Sequence, residues 1–418
     1  MISEPITPAI RKIDTPQFKA LFTPELVKLN DLFKKNNFQL RMAGGAVRDL
    51  LMGIKPYDVD FATNATPDEM KVSLSTLGII CPRRVDVVCD GRRAKIEFTT
   101  SWQLDANRRD LTVNSLFLDL DGTVIDYFGG IRDLEKRKIV FVGDANQRIQ
   151  EDYLRILRYF RFFGRLALHA DAHDKTTLDA IMSNRGGLKD ISGERIWMEL
   201  KKICIGRLGG AVLTTMLKQC NLASLLGLPE NADTAHLCNL HRRYYSNIEA
   251  MTLLSSLFTE VEQIEVFHKR CKLSHAEKTL VEFIFEHRGE AKKKADSILF
   301  FKKILLMEER LHKFTRKKVQ TSQEKVIELA KYVMVSDELI NELNIWESPT
   351  FPVGGVDLMH NNIPPGPHVK QILDHLFKVW IESGWTMSKE ELLKHVSDVE
   401  WDEQFRPRHK RKHSPDIR

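Results

Sequence analysis

The chain has 418 residues, 43% hydrophobic and 29% charged, with a formal net charge of +6 at pH 7. That length suits two to four domains of a soluble globular protein, and the mild positive excess is compatible with a polyanionic partner. No apolar run reaches about 18 residues, so no transmembrane helix is expected. The six cysteines (Cys81, Cys89, Cys204, Cys220, Cys238, Cys271) form no C-x-x-C pair, which predicts free thiols in a reducing compartment and no zinc site. The first residues lack an apolar signal core and make a poor mitochondrial presequence, with acids and little arginine.

Residues 1–16 are expected to form a flexible arm. Residues 17–37 read as one amphipathic helix with Phe18, Leu21, Leu26, Leu29 and Leu32 on its apolar side. The informative stretch is 39–63. A short strand leads into Gly44 and Gly45, a helical run covers 46–52, Gly53 and Pro56 break it, and a second strand spans 58–62. On a strand, residues i and i+2 share a face, so Asp58 and Asp60 would aim together, as hard oxygen ligands suited to Mg²⁺. Paired glycines let backbone N–H groups approach a triphosphate. Arg48, one turn into the helix, can add a charge-assisted bond.

Residues 65–77 look helical, with a Thr66/Glu69 capping box. Residues 85–89 and 95–99 read as strands around Asp90 and Gly91. Residues 116–120 and 123–127 read as a pair turning at Asp121 and Gly122. From Gln147 onward the periodicity is helical almost to the end. The last residues, 406–418, carry no apolar pattern and are expected to be a disordered basic tail, serving as a nuclear-localisation patch or an RNA-binding segment.

Four further motifs carry polar groups in suggestive order. Arg108-Arg109-Asp110 precedes Asn114; alone, such a run is a surface salt-bridge cluster. Asp126 and Asp133 flank Gly129 and Gly130 in a mobile turn. In EDYLRILRYFRF, a continuous helix would align Asp152, Arg155 and Arg158. A carboxylate accepting from an exocyclic amine, beside a guanidinium donating to a ring nitrogen, fits the edges of cytosine and adenine and rejects uracil and guanine. Finally, SGERIWMEL starts a helix at Ser192 that reads as structural.

GGAVRDLLMG…DVDFAT, RRDLTVNSL, DYFGGIRDL, EDYLRILRYFRF and SGERIWMEL together resemble the polymerase-β-like nucleotidyltransferases. In that superfamily they are most similar to the class II tRNA CCA-adding enzymes and the related bacterial poly(A) polymerases. The resemblance covers about residues 21–205. It implies an α+β fold: a nucleotidyltransferase head (17–145), a nucleotide-selecting neck (146–205) and a helical, tRNA-binding body and tail (206–405). It implies Mg²⁺ ions on Asp58 and Asp60 as catalytic residues. Nucleotide contacts would come from Gly45, Arg48, Arg108, Arg109, Asp152, Arg155, Arg158 and Arg161. The partners would be tRNA, ATP and CTP, with no membrane. The basic runs 292–294 and 316–318 become candidate phosphate contacts. A poly(A) polymerase or a non-catalytic RNA-binding descendant shares most of these motifs. The compartment is read as intracellular, mitochondrial or nuclear-cytoplasmic or both.

One departure stands out. Asp60 and Arg108 are 48 positions apart, and the resemblance implies a longer connection holding a third carboxylate. Room is short by roughly two strands at about five or six residues each. The expectation is a weakened head with little or no transferase activity.

Overall fold

The structure is a computed structural model that describes residues 6–66, 68–70, 99–312 and 321–399. The chain divides into two units, Met1–Glu282 and Phe283–Arg418. The expected strands at 85–89 and 95–99, Thr99 apart, lie outside the described residues, as do the runs 316–318 and 406–418.

The first unit begins with β1 (Ala9–Lys12), so these residues are not a free arm. They pair antiparallel with β5 (Thr123–Asp126), from Ala9 opposite Asp126 to Lys12 opposite Thr123. The expected single helix over 17–37 is two, α1 (Pro16–Lys19) and α2 (Pro24–Lys35). Each starts at a threonine cap followed by proline, and proline is preorganised for the first helical position. Thr23 Oγ1 accepts from Leu26 N at 3.3 Å, and Glu25 in the first turn and Lys34 and Lys35 in the last complement the helix dipole.

β2 (Leu40–Ala43) runs into α3 (Gly45–Leu51), and β3 (Phe61–Thr63) returns beside β2. α4 (Trp102–Asn107), capped by Ser101, precedes β4 (Phe117–Asp119). The described strands form one sheet in the order β1-β5-β4-β2-β3, with every pair antiparallel. Alternation sorts its side chains. Met42, Leu118 and Val124 pack with Val47, Leu50 and Phe18 on one face, while Ala43, Phe117 and Ile125 meet Ala106 and Trp102 on the other. Full burial of Met42 or Leu118 contributes about 1.5–3 kcal/mol each. The Thr66/Glu69 capping box is present, with Thr66 N donating to Glu69 Oε2 at 2.7 Å.

Beyond α5 (Gly130–Glu135) the unit is helical, as the periodicity predicts. α6 (Ala145–Glu151) is capped by Asp144, and α7 (Arg155–Leu166) buries Ile156, Leu157, Tyr159, Phe160, Phe162 and Phe163. α8 (Lys175–Asn184) leads to α9 (Gly193–Cys204), which packs on α7, buries Ile196, Leu200 and Ile203 and is capped by Ser192. α10 (Gly209–Thr214), α11 (Ala235–Tyr244), α12 (Ala250–Leu254) and α13 (Val261–Cys271) complete the body. The division between units falls within α14 (His275–Lys293).

The second unit carries α15 (Ile298–His312), α16 (Ser322–Tyr332), α17 (Asp337–Ile345), α18 (Gly355–His360), α19 (His368–Glu382) and α20 (Lys389–Lys394). Its core gathers Leu306, Leu358, Ile372, Leu376, Trp380 and Leu392. Among the described residues no helix is long and apolar enough to cross a membrane.

Candidate functional site

The turn after β2 is the centre. Gly44 has φ +64° and ψ −117°, a conformation that side chains resist, and its N–H donates to Leu116 O at 2.9 Å. A Cβ at position 44 would sit 2.9 Å from an Arg109 guanidinium nitrogen and 3.3 Å from Asn114 O. Gly45 opens α3, and a Cβ there would meet only Arg48, at an ordinary 3.6 Å. The two glycines therefore differ: the first is required by geometry and the second leaves its backbone approachable.

Asp58 and Asp60 do not lie on a strand. β3 starts at Phe61, and Asp58 sits in a bend where its Oδ1 accepts from Val59 N at 2.9 Å. The shared-strand-face argument for the pair is thus corrected. A bend at Tyr57 and Asp58 precedes the strand, which begins only at Phe61. Both acids are exposed. Asp60 O accepts from Ala43 N at 2.9 Å, which sets Asp60 beside the Gly44 turn. Two exposed hard-oxygen donors fit a largely hydrated divalent ion. Among the described residues no cluster of three or more His, Cys, Asp or Glu side chains is arranged to hold a metal.

The two arginines of R-R-D share a partner that sequence reading overlooked. Buried Asp105, on α4, takes Arg108 Nε at 2.6 Å and Arg109 Nη2 at 3.0 Å. The signal was available in the i, i+3 and i+4 spacing of Asp105, Arg108 and Arg109. Arg109 also donates to Asn114 O at 3.2 Å and lies over the Phe117 ring. Arg48 is buried. It donates from Nη1 to Asn114 Oδ1 at 2.6 Å and from Nε to Asp49 at 2.9 Å.

Asp110 is buried and takes Arg158 Nε at 2.6 Å, Leu111 N at 2.9 Å and Asn114 Nδ2 at 3.3 Å. Burial alone would raise its pKa, but the Arg158 charge and these hydrogen bonds hold it below the usual carboxylate range. Burial likewise works against the Arg158 charge, and Asp110 outweighs it, raising that pKa. Asp126 accepts from Phe128, Gly130 and Ile131 N–H groups at 2.9–3.1 Å, and Asp133 accepts from Thr112 Oγ1 at 2.8 Å. A Cβ on Gly130 would collide with Thr112 O. The glycine turn is thus closely packed.

Asp152 is not on a helix with Arg155 and Arg158, and that expectation is also corrected. It lies in the break between α6 and α7, at φ −155° and ψ 105°. Its Oδ2 takes Arg195 Nη2 at 2.8 Å and its Oδ1 takes Leu154 N at 3.1 Å. Arg155 instead donates to Glu151 at 2.6 Å, to Arg148 O at 2.9 Å and to Arg108 O at 2.9 Å. Arg161 pairs with Glu199 at 2.9 Å over the Phe162 ring.

Sheet, glycine turn and paired arginines define a nucleotidyltransferase head, and residues 40–83 and 79–140 match the family described as Poly A polymerase head domain. The chain is 43% identical over 410 positions to "CCA tRNA nucleotidyltransferase 1, mitochondrial" of Danio rerio, covering 92% of this chain and 93% of that protein. It is 41% identical to the Homo sapiens protein of the same name, covering 92% of each. The chain belongs to the CCA tRNA nucleotidyltransferase family. Its fold matches the Bacillus stearothermophilus CCA-adding enzyme in complex with CTP, at a TM-score of 0.64 and 22% identity, covering 92% of this chain and 98% of that one. It also matches the Thermotoga maritima CCA-adding enzyme complexed with tRNA, at 0.62 and 19%, covering 93% and 98%.

The family generally uses a divalent metal. The Danio rerio alignment spans 410 positions, while 92% of 418 residues is about 385, so about 25 positions face no residue here. The head match breaks in two at residues 79–83. That break lies inside the connection that the sequence marks as short.

Proposed function

We propose that the chain adds CCA to the 3′ end of tRNA by template-independent transfer of CMP and AMP from CTP and ATP. Family membership supports this reading, and one contact carries it: Arg155 Nη2 donates to Arg108 O at 2.9 Å, joining the base-reading turn to the R-R-D turn. The tRNA 3′-hydroxyl oxygen bonds to the α-phosphorus, the bond to the β-phosphate bridge breaks, and pyrophosphate leaves with its electron pair. The hydroxyl proton passes to solvent. Asp58 and Asp60 would hold Mg²⁺, which when bound activates the hydroxyl and stabilises the leaving group. Arg108 and Arg109 offset phosphate charge beside Gly45. Arg158 and Arg161 support the reading turn from α7.

Asp152 and Arg155 read the base. An ionised carboxylate has about four acceptor sites and a guanidinium five N–H donors. Arg195 and Leu154 occupy two sites of Asp152, and three bonds engage Arg155. Capacity therefore remains on each for the amine and ring nitrogen of cytosine or adenine. The test is purified protein, tRNA lacking CCA, Mg²⁺ and each labelled nucleotide in turn. CMP incorporation followed by AMP is the expected result. Tailing with ATP alone would favour poly(A) synthesis and reject the proposal.

A second reading has its own observation. The unmatched positions and the split head match favour an impaired catalyst that retains tRNA and nucleotide binding. For location we propose mitochondria, from the names of the vertebrate relatives, with a nuclear-cytoplasmic pool as the alternative. Imaging of the tagged chain separates the two.

A further inference from the structure

A run of buried polar contacts crosses from the head to α7. Arg48 Nη1 donates to Asn114 Oδ1 at 2.6 Å, Asn114 Nδ2 to Asp110 Oδ1 at 3.3 Å, and Arg158 Nε to Asp110 Oδ2 at 2.6 Å. Arg48, Asn114 and Asp110 are buried, and the Arg158 side chain is about one-third exposed. The Phe162 ring lies against the run, with the guanidinium carbons of Arg48, Arg158 and Arg161 at 5.0, 5.7 and 4.3 Å from its centroid. Asp49, adjacent to Arg48, takes Arg165 at 3.0 Å, one turn farther along α7.

These contacts have a directional consequence. Arg158 lies one turn after Arg155, on the helix whose first turn follows Asp152. Rotating α7 by one residue swings its side chains by about 100° and would tear Arg158 from Asp110. The run therefore sets the rotation of α7 and, with it, where the Asp152–Arg155 turn faces. Its parts are costly to separate, because an unpaired buried charge loses its compensation.

We infer that Asp110 and Asn114 are positioning residues for nucleotide selection: with Arg48 and Arg158 they form a clasp that orients the base-reading turn against the Gly44 turn. This rests on the proposed reading of Asp152 and Arg155. A merely structural role would lower stability without changing the preference between nucleotides.

The experiment uses the full chain, unmodified and as Asp110→Asn, Asp110→Glu, Asn114→Ala, Arg158→Gln and the Asp110→Asn/Arg158→Gln pair. Equilibrium CTP and UTP binding without tRNA, tRNA affinity, CMP incorporation and thermal unfolding are measured on each. The CTP-over-UTP preference should fall at least about tenfold in Asp110→Asn and Arg158→Gln and equally in the double variant, as for residues acting as a unit. Asp110→Glu should recover part of it, and tRNA affinity should stay within about twofold. Asn114→Ala, which removes the bonds to Arg48 and Asp110 but leaves the Asp110–Arg158 pair, decides the matter if the charge variants unfold. An unchanged preference in folded variants, or additive losses, overturns the clasp. If the unmodified chain prefers CTP but incorporates nothing, the proposed activity fails while the binding ratios still judge the clasp. If it shows no preference, both fall.

Discussion

Gly44→Ala separates backbone strain from site geometry. At φ +64° and ψ −117° an alanine is strained by about 1–3 kcal/mol. Its Cβ would also press on the Arg109 guanidinium at 2.9 Å and on Asn114 O at 3.3 Å. The guanidinium is the end of a flexible side chain and moves aside; the carbonyl is backbone and resists. Stability should fall by the strain, a melting shift of roughly 2–12 °C at the usual 2–4 °C per kcal/mol for a domain of this size. The larger effect is functional, because Arg109 leaves the turn that holds it. Two controls bracket the result. Gly53→Ala has φ +72° with nothing within 4 Å, so it should show strain alone. Gly45→Ala should melt normally, yet bind nucleoside triphosphate more weakly if the backbone approach matters. Thermal scans and labelled-CMP incorporation read all three. Refutation would be Gly44→Ala matching Gly53→Ala in both melting and activity relative to the unmodified chain.

Asp58→Ala or Asp60→Ala should abolish incorporation while sparing the fold, since both acids are exposed; activity within about tenfold, a barrier change of only about 1.4 kcal/mol, rejects them as metal ligands. Asp152→Ala should admit UTP and GTP, with loss of one such partner costing about 1–3 kcal/mol; continued exclusion of both bases means another group reads them. Asp110 has a depressed folded pKa, so its contribution is present above the unfolded value near 3.9 and is lost as pH falls through the lower folded value. The stability gap between the unmodified chain and Asp110→Asn should thus be full at pH 7 and narrow as pH falls below the unfolded value, and a gap that does not narrow in acid contradicts the pairing. The shortened connection should leave turnover low; a cooperative melt with turnover equal to that of the Danio rerio relative shows instead that the short connection is tolerated.

What was legible in the sequence is local. The glycine turn, the R-R-D run, the capping box at Thr66 and the helix start at Ser192 depend on residues a few positions apart, and each forms in the structure. The β4–β5 pair was readable from alternation around Asp121 and Gly122. The β1 segment was not, because AIRK has no alternation and is exposed along its length; only pairing with β5 makes it a strand. The i, i+3 spacing that predicts a helix at Asp152 assumes continuity, whereas the chain is extended there and Asp152 takes Leu154 N and Arg195 instead. The partners of the candidate site, Asn114 for Arg48, Asp110 for Arg158 and Arg195 for Asp152, are 66, 48 and 43 positions away. No periodicity reports contacts across such distances.

The strand order also bears on how the chain is made. Ala9 sits opposite Asp126 and Arg41 opposite Asp119, so the earliest strands wait for the latest ones to leave the ribosome. At about 5–20 residues per second that wait is on the order of ten seconds for β1. Closing a loop of this length costs about 4 kcal/mol of chain entropy beyond a constant, which the helices that follow largely avoid. Throughout the wait β1 is an unpaired edge, open to other nascent chains. Its last two residues, Arg11 and Lys12, supply the charge that discourages such pairing, and in the finished fold they are engaged by Glu135 and Asp121.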